Sequence, residues 1–168
     1  LFESLPLAGM YDYLIDWNHF SEEVSMLVEQ RVIKSVKDLW WDARPNPGFG
    51  TVEVRACDLP SRFSDILAIV ALIQACVAWI VQEQIICGPL NSYLMKYNKW
   101  QAVRYGLNGR FIDPTGLVGE EAETYSSAIA ALVDLVQPYS AQLGGITYLE
   151  KIGRIVTEGT ASNIFIAK

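Results

Sequence analysis

"WWDARPNPGFGTVEVRACD", residues 40–58, is the stretch on which the fold turns. Its second half reads as a β-strand over residues 51–57. Successive strand side chains point to opposite sides, so Thr51, Glu53 and Arg55 share one face. Val52, Val54 and Ala56 share the other, which is apolar and ordinary. Residues 39–44 also read as extended. Between them lies "PNPGFG", residues 45–50, whose prolines and glycines mark a loop. Two extended segments joined by a short loop predict an antiparallel hairpin. Pairing symmetric about that loop sets Arg44 against Thr51, Asp42 against Glu53 and Trp40 against Arg55. Asp42, Arg44, Glu53 and Arg55 then lie on one face, and a slip of one residue would scatter them.

Outward from the hairpin the pattern is helical. In "DWNHFSEEVSMLVEQRVI", Ser21 is the expected N-cap, with Glu22 and Glu23 in the first turn. Val24, Leu27, Val28 and Arg31 follow at helical spacing. Pro60 with Ser61 or Ser64 is expected to open an apolar helix running to about Cys87. Gly88 and Pro89 stop it and introduce a helix over 90–106. "GLNGRFIDPTG" reads as a loop with room for a short strand. A further helix is expected over 119–137, with Ile129, Leu132, Val133 and Val136 on one stripe and Pro138 ending it. A last helix runs from Leu143 or Ile146 to Thr157, and the tail "GTASNIFIAK" is irregular. No repeat, low-complexity segment or linker is visible. Strands segregated from helices imply an α+β fold in a single domain over residues 1–168.

Bulk composition narrows the function classes. The chain has 168 residues, enough for a domain with a core. A net charge of −6 argues against a nucleic-acid partner and against a basic membrane-surface patch. Cys57, Cys76 and Cys87 form no CxxC pair and are odd in number, which favours a reduced, cytoplasmic chain over a disulfide framework. Each is expected to be a packing thiol. A lone His19 argues against a histidine-rich metal site and against a histidine-based triad. The chain starts at Leu1 with no basic segment before an apolar one, so it reads as a fragment rather than a signal peptide. The run "ILAIVALIQACVAWIV", Ile66–Val81, falls short of the roughly 20 apolar residues of a spanning helix. Gln74 interrupts it, and a buried core helix is the expectation.

Two readings of the charged hairpin stand side by side. One is a cross-strand ion-pair ladder on a structural, non-catalytic interaction module. The other is a site for a divalent cation and phosphates, because Mg²⁺ takes carboxylate oxygens and arginine grips phosphate with two prongs. Asn98, Trp100 and Arg104 invite a similar choice, since positions 100 and 104 share a helix face. There a surface arginine stacked on an aromatic competes with a ligand contact.

Residues 40–58 resemble the C-terminal signature of the carboxylate–amine ligases, the second glutamate–cysteine ligase family. "LFESLPLAGM", residues 1–10, resembles a stretch just after that family's serine–arginine segment. "NKWQAVRYGLNGRFID", residues 98–113, resembles its next motif, in the right order. The likeness spans nearly the whole chain but only about the latter half of a family member. The strand Glu53–Val54–Arg55 followed by an apolar helix also resembles glutamine synthetase, whose catalytic fold the family shares. Tyr105 and the tail depart from the family pattern. The resemblance implies an ATP- and Mg²⁺-dependent ligase that joins glutamate to an amine such as cysteine. By the same resemblance Glu53 is a Mg²⁺ ligand, Arg55 and Arg44 are catalytic contacts to the phosphoryl group or substrate, and Asp42 and Asp58 orient them. Arg104 and Asn98 would touch the nucleotide. A hairpin with open edges favours association, and a homodimer is expected.

Overall fold

The structure, a computed structural model, describes residues 5–119 and 123–160. The fold is α+β, and the chain divides into two compact units, residues 1–58 and 59–168.

The first unit contains β1 (Ala8–Gly9), α1 (Trp17–Glu29), β2 (Trp40–Trp41), β3 (Ala43–Asn46) and β4 (Thr51–Val54). Its core is Phe20, Ile33, Leu39 and Trp41, with Leu7, Leu14, Val24, Leu27 and Val36 packed around them. Helix α1 starts four residues before the expected Ser21. The Asp16 carboxylate caps it by accepting from the His19 backbone N–H at 2.8 Å. Ser21 lies inside the helix, and its hydroxyl donates to the Trp17 carbonyl at 2.9 Å. Arg31 falls past the helix end with φ of 58°. A 3₁₀ turn at Val36–Asp38 follows, closed by a Ser35–Asp38 capping box. That turn drops Leu39 into the core with no exposed surface.

From there the chain serves two small sheets in succession. β2 pairs with β1 in parallel, Ala8 with Trp40 and Gly9 with Trp41. β3 pairs with β4 in antiparallel fashion. The parallel pair was not foreseen, because two residues per strand carry no periodicity. The hairpin forms as expected, but its register differs by two residues. Arg44 faces Glu53, Pro45 faces Val52 and Asn46 faces Thr51. The loop is shorter than "PNPGFG" suggests. Pro45 and Asn46 belong to the strand, and the turn runs over Asn46–Pro47–Gly48–Phe49, with the Phe49 N–H donating to the Asn46 carbonyl at 3.1 Å. Asparagine first and proline second suit such a turn. Gly50 follows with φ of +62°, where a side chain would be strained. A shift of two keeps side-chain parity, so the charged residues still share a face. The strand ends at Val54, before the expected residue 57.

The second unit contains α2 (Phe63–Gln82), α3 (Ser92–Tyr105), α4 (Tyr125–Gln142), α5 (Ile146–Leu149) and α6 (Lys151–Glu158). The core joins Ala68, Ala71, Ala75 and Trp79 of α2 to Val136, Leu149 and Ile152. Alanine at three of these positions lets the helices approach closely. Helix α2 starts at Phe63, between the expected Ser61 and Ser64, and stops before the expected Cys87. Its start is tied to α6 by ion pairs from Arg154 to Asp65 and from Arg62 to Glu158, the latter at 2.9 Å. The expectation of a buried core helix holds for one face only. Phe63, Val70, Val77 and Val81 on the other side are exposed, and 22% of its most apolar window is buried. By length and composition α2 is the one helix among the described residues apolar enough to cross a membrane.

Helix α4 begins at Tyr125 behind a Thr124–Ser127 capping box, later than the expected residue 119; residues 120–122 lie outside the described residues. It also runs through Pro138 to Gln142. Proline removes one backbone bond, but Val136 and Ser140 on either side of it are fully buried, and that packing carries the helix past it. The expected last helix is two, α5 and α6. Residues 161–168 of the tail lie outside the described residues. Cys57 and Cys87 are exposed rather than packed, because β4 and α2 both end before reaching them. Cys76 does pack against the core.

Leu149 is fully buried whereas Leu143 is half exposed. Leu149→Ala should lower the unfolding free energy by about 2–5 kcal/mol, and Leu143→Ala by far less. Urea denaturation of the two variants checks this.

Candidate functional site

Four side chains meet on the charged face of the hairpin. The Arg44 guanidinium donates from Nη2 to Glu53 Oε2 at 2.6 Å and from Nη1 to the Lys37 and Leu39 carbonyls at 2.8 and 3.1 Å. Arg55 Nη1 donates to the same Glu53 oxygen at 3.1 Å. Asn46 Nδ2 donates to the other, Oε1, at 2.9 Å. The Arg55 guanidinium also lies 4.8 Å from the centre of the Trp40 ring, a cation–π distance. Its backbone N–H donates to the Asp42 carbonyl at 2.7 Å, which carries the chain alignment past the end of β4.

Burial on this hairpin is the reverse of what alternation suggests. Arg44 is only 6% exposed, while Val52 on the opposite, apolar face is 65% exposed. Glu53 and Arg55 are half-buried. The hairpin therefore turns its charges toward the 3₁₀ turn and its valines outward. A buried guanidinium needs its donors matched, and the turn's carbonyls together with Glu53 supply that match. Arg44 Nε remains buried without a partner.

The Asn46 amide, then Arg44, hold the Glu53 carboxyl below the usual carboxylate range; Arg55 adds to the effect. Two guanidinium groups converge on one carboxylate, and arginines so placed suit an anionic ligand such as a phosphate or a carboxylate. For Mg²⁺ the fit is partial. Glu53 is a suitable oxygen ligand, but among the described residues no group of three histidine, cysteine or acidic side chains could hold a metal. This chain would contribute one ligand of such a shell.

Of the residues singled out from sequence, Arg44, Glu53 and Arg55 come together here. Asn98 and Arg104 are on α3 in the second unit. Asn98 is buried, and both ends of its amide are used. Nδ2 donates to the Ile112 carbonyl at 2.7 Å and Oδ1 accepts from the Ile112 N–H at 3.1 Å. Gln101 Oε1 accepts from the Arg110 N–H at 3.0 Å in the same way. Gly109 lies so close beneath that a Cβ would sit 2.7 Å from the Gln101 carbonyl oxygen. Much of the 98–113 motif is thus a clamp between α3 and the loop that follows it. Arg104 is exposed.

Asn46 was missed in the sequence because it sits inside the proline–glycine stretch. Its even spacing from Asp42 and Arg44 was the available clue. Partial desolvation, and then the neighbouring Asp58 carboxylate, push the Cys57 thiol up although the residue as a whole is exposed. A thiol held protonated is a poor nucleophile. Away from these charges, an open cavity of about 260 Å³ lies in the first unit between Tyr11, Asp12, Tyr13, His19, Glu23 and Trp41. His19 lines it and also accepts from the Ile15 N–H at 3.2 Å.

Comparison with known proteins agrees with the motif evidence. Residues 1–163 match Glutamate-cysteine ligase family 2. A protein of Sorangium cellulosum named "Putative glutamate–cysteine ligase 2" is 34% identical over 97% of this chain and 44% of its own length. Proteins of the same name from Paraburkholderia phytofirmans and Cronobacter sakazakii are each 36% identical, over 90% and 93% of this chain and 40% and 42% of their own lengths. The chain therefore spans less than half the length of these curated relatives.

The depressed Glu53 pKa has a definite pH consequence. A carboxyl with a lowered folded-state pKa contributes stability above its unfolded value of 4.5, and that contribution disappears as pH falls through the folded value. Carbon-detected NMR of the Glu53 carboxyl should show titration below 4.5, and Asn46→Ala should move it upward. An unshifted midpoint in the variant would remove Asn46 from the network.

Proposed function

Because the chain belongs to glutamate–cysteine ligase family 2, we propose that it carries part of the active site of an ATP-dependent carboxylate–amine ligase. The substrates in this reading are glutamate and an amine such as cysteine. The observation that carries it is Glu53 held between Arg44 and Arg55 at 2.6 and 3.1 Å on a paired hairpin. The reading includes a glutamine synthetase-like catalytic fold, a homodimer and a cytoplasmic location.

The chemistry explains why such a group is needed. A carboxylate oxygen of glutamate attacks the γ-phosphorus of ATP, and ADP leaves. The amine nitrogen then attacks the carbonyl carbon of the acyl phosphate. Phosphate departs with the former carboxylate oxygen, and the nitrogen gives up a proton. Both substrates of the first step are anions, so their approach requires positive charge. Mg²⁺, with Glu53 among its ligands, would supply charge neutralisation at the phosphates. Arg55, whose guanidinium lies over Trp40, would contact the transferring phosphoryl group in this reading. Arg44, anchored on two carbonyls, holds Glu53 in orientation and offers its unpartnered Nε to an anion.

A structural hairpin in a non-catalytic interaction module is the competing reading, favoured by the fact that Glu53 is already satisfied by its own chain. Activity separates the two. A protein of the relatives' length bearing this chain should release ADP when given Mg²⁺, ATP, glutamate and cysteine. Arg55→Ala should lower that rate about a hundredfold or more. Glu53→Gln keeps an acceptor for Arg44 and should abolish turnover with the fold intact by circular dichroism. ADP release unchanged in both variants sinks the ligase reading of this hairpin.

A further inference from the structure

Residues 5–30 hold five of the 19 acids (Asp12, Asp16, Glu22, Glu23 and Glu29) and none of the 13 lysines and arginines. The open cavity of about 260 Å³ lies within this acidic stretch and wholly inside the first unit. Its walls follow from the local structure. On α1, His19, Glu23 and Leu27 recur at intervals of four and share one face. The segment leading into that helix contributes Tyr11, Asp12 and Tyr13, and β2 contributes Trp41. Trp41 is buried and set edge to face against Phe20 of the core, with ring centres 6.2 Å apart. Tyr11 lies on its other contact at 4.7 Å, and both tyrosines are exposed at the rim.

The fold does not consume the two acids of this cavity. The Asp12 carboxylate has no hydrogen-bond or ion-pair partner among the described residues. Glu23 meets only His19, Oε1 to Nε2 at 3.7 Å, which is too long for a hydrogen bond. His19 Nδ1 is already taken, accepting from the Ile15 N–H at 3.2 Å. Aromatic rings and two unmatched carboxylates line the cavity, and no lysine or arginine does.

We propose that this cavity binds a small organic cation, a primary ammonium on an apolar body that carries no carboxylate. The rings of Tyr11, Tyr13 and Trp41 take the apolar body and attract the charge. Asp12 and Glu23 accept from the ammonium N–H groups. The acids around the cavity raise the local concentration of a cation. The same lining rejects a free amino acid, because two like charges face its carboxylate and no cation receives it. The volume, just under the about 300–1,000 Å³ usual for ligand pockets, limits the occupant to a small molecule. This inference goes beyond the ligase reading and does not rest on it.

The test is calorimetric titration of the chain at about pH 8, where imidazole is ordinarily neutral, without ATP or glutamate. Three ligands of one shape are compared: phenethylammonium, phenylethyl alcohol, which lacks the charge, and phenylalanine, which adds a carboxylate. Phenethylammonium is expected to bind about tenfold or more tightly than either of the others and to weaken as salt rises. The Trp41 indole N–H signal should shift during the titration. Asp12→Asn and Glu23→Gln should each lower the affinity for phenethylammonium severalfold and leave phenylethyl alcohol unchanged, with thermal melting confirming that both variants fold. Equal affinity for the three ligands reduces the cavity to an apolar crevice and overturns the proposal. So does affinity indifferent to both substitutions, or no saturable binding of phenethylammonium up to millimolar concentration. Each of these results leaves the ligase reading standing, since ADP release by the hairpin variants is measured separately.

Discussion

The buried guanidinium of Arg44 is the constraint around which the first unit is built. A charge this far from water needs acceptors, and both terminal nitrogens of Arg44 have them while Nε does not. The 3₁₀ turn at Val36–Asp38 and the residue after it aim the Lys37 and Leu39 carbonyls at one nitrogen, and β4 aims Glu53 at the other. The Ser35–Asp38 capping box fixes the turn, the turn fixes Leu39 in the core, and the hairpin register fixes Glu53 opposite Arg44. Shifting the register by one residue would remove the carboxylate and leave the charge facing its partner strand without a counterion. The ion pair therefore specifies the pairing of β3 and β4, a role more secure for a buried pair than net stabilisation.

The existence of the hairpin was legible in residues 40–58, and so was the shared face of Arg44, Glu53 and Arg55. Period-two alternation fixes parity, and a register error of two residues leaves parity untouched. The register itself was not legible, because "PNPGFG" contains two candidate turn starts and proline at 45 is tolerated in an edge strand. Nor could alternation say which face is buried. It marked Val52 and Val54 as ordinary apolar positions, yet they face outward, since the turn beneath the other face offers carbonyls to Arg44. The helices of the second unit were legible in order more than in their ends, and the expected last helix is two. Asp16 displaced Ser21 as a cap, and packing around Val136 and Ser140 carried α4 through Pro138, both cases in which the surroundings override a local stop or start rule.

The 98–113 motif gives α3 two unlike sides, one bonded to the following loop and one exposed. Asn98, Gln101 and Gly109 are required by geometry, because two side-chain amides replace the hydrogen bonds that the 109–112 backbone lacks and no Cβ fits at 109. Trp100 and Arg104 meet no such requirement. Trp100 is half exposed and sets its ring against Tyr97 and Tyr105. The same asymmetry applies to α2. Ala68, Ala71, Ala75 and Trp79 are demanded by the core, whereas Val70 and Val77 are exposed and outside that core cluster among the described residues.

The saturation of Glu53 bears on how the hairpin would meet a ligand. At rest its two oxygens accept from three donors, so the group is electrostatically satisfied and pre-positioned. A phosphate arriving between Arg44 and Arg55 would compete with Glu53 for the same N–H groups, and charge-assisted bonds to a doubly charged anion are the stronger. The exchange would release carboxylate oxygens at the moment a cation accompanying that phosphate needs them. Asn46 is neutral and would keep one oxygen in place while the other turned. In the ligase reading proposed above, the ladder would be the resting form and the site the same ladder with its partners exchanged, so the observed ion pairs do not by themselves choose between the two readings.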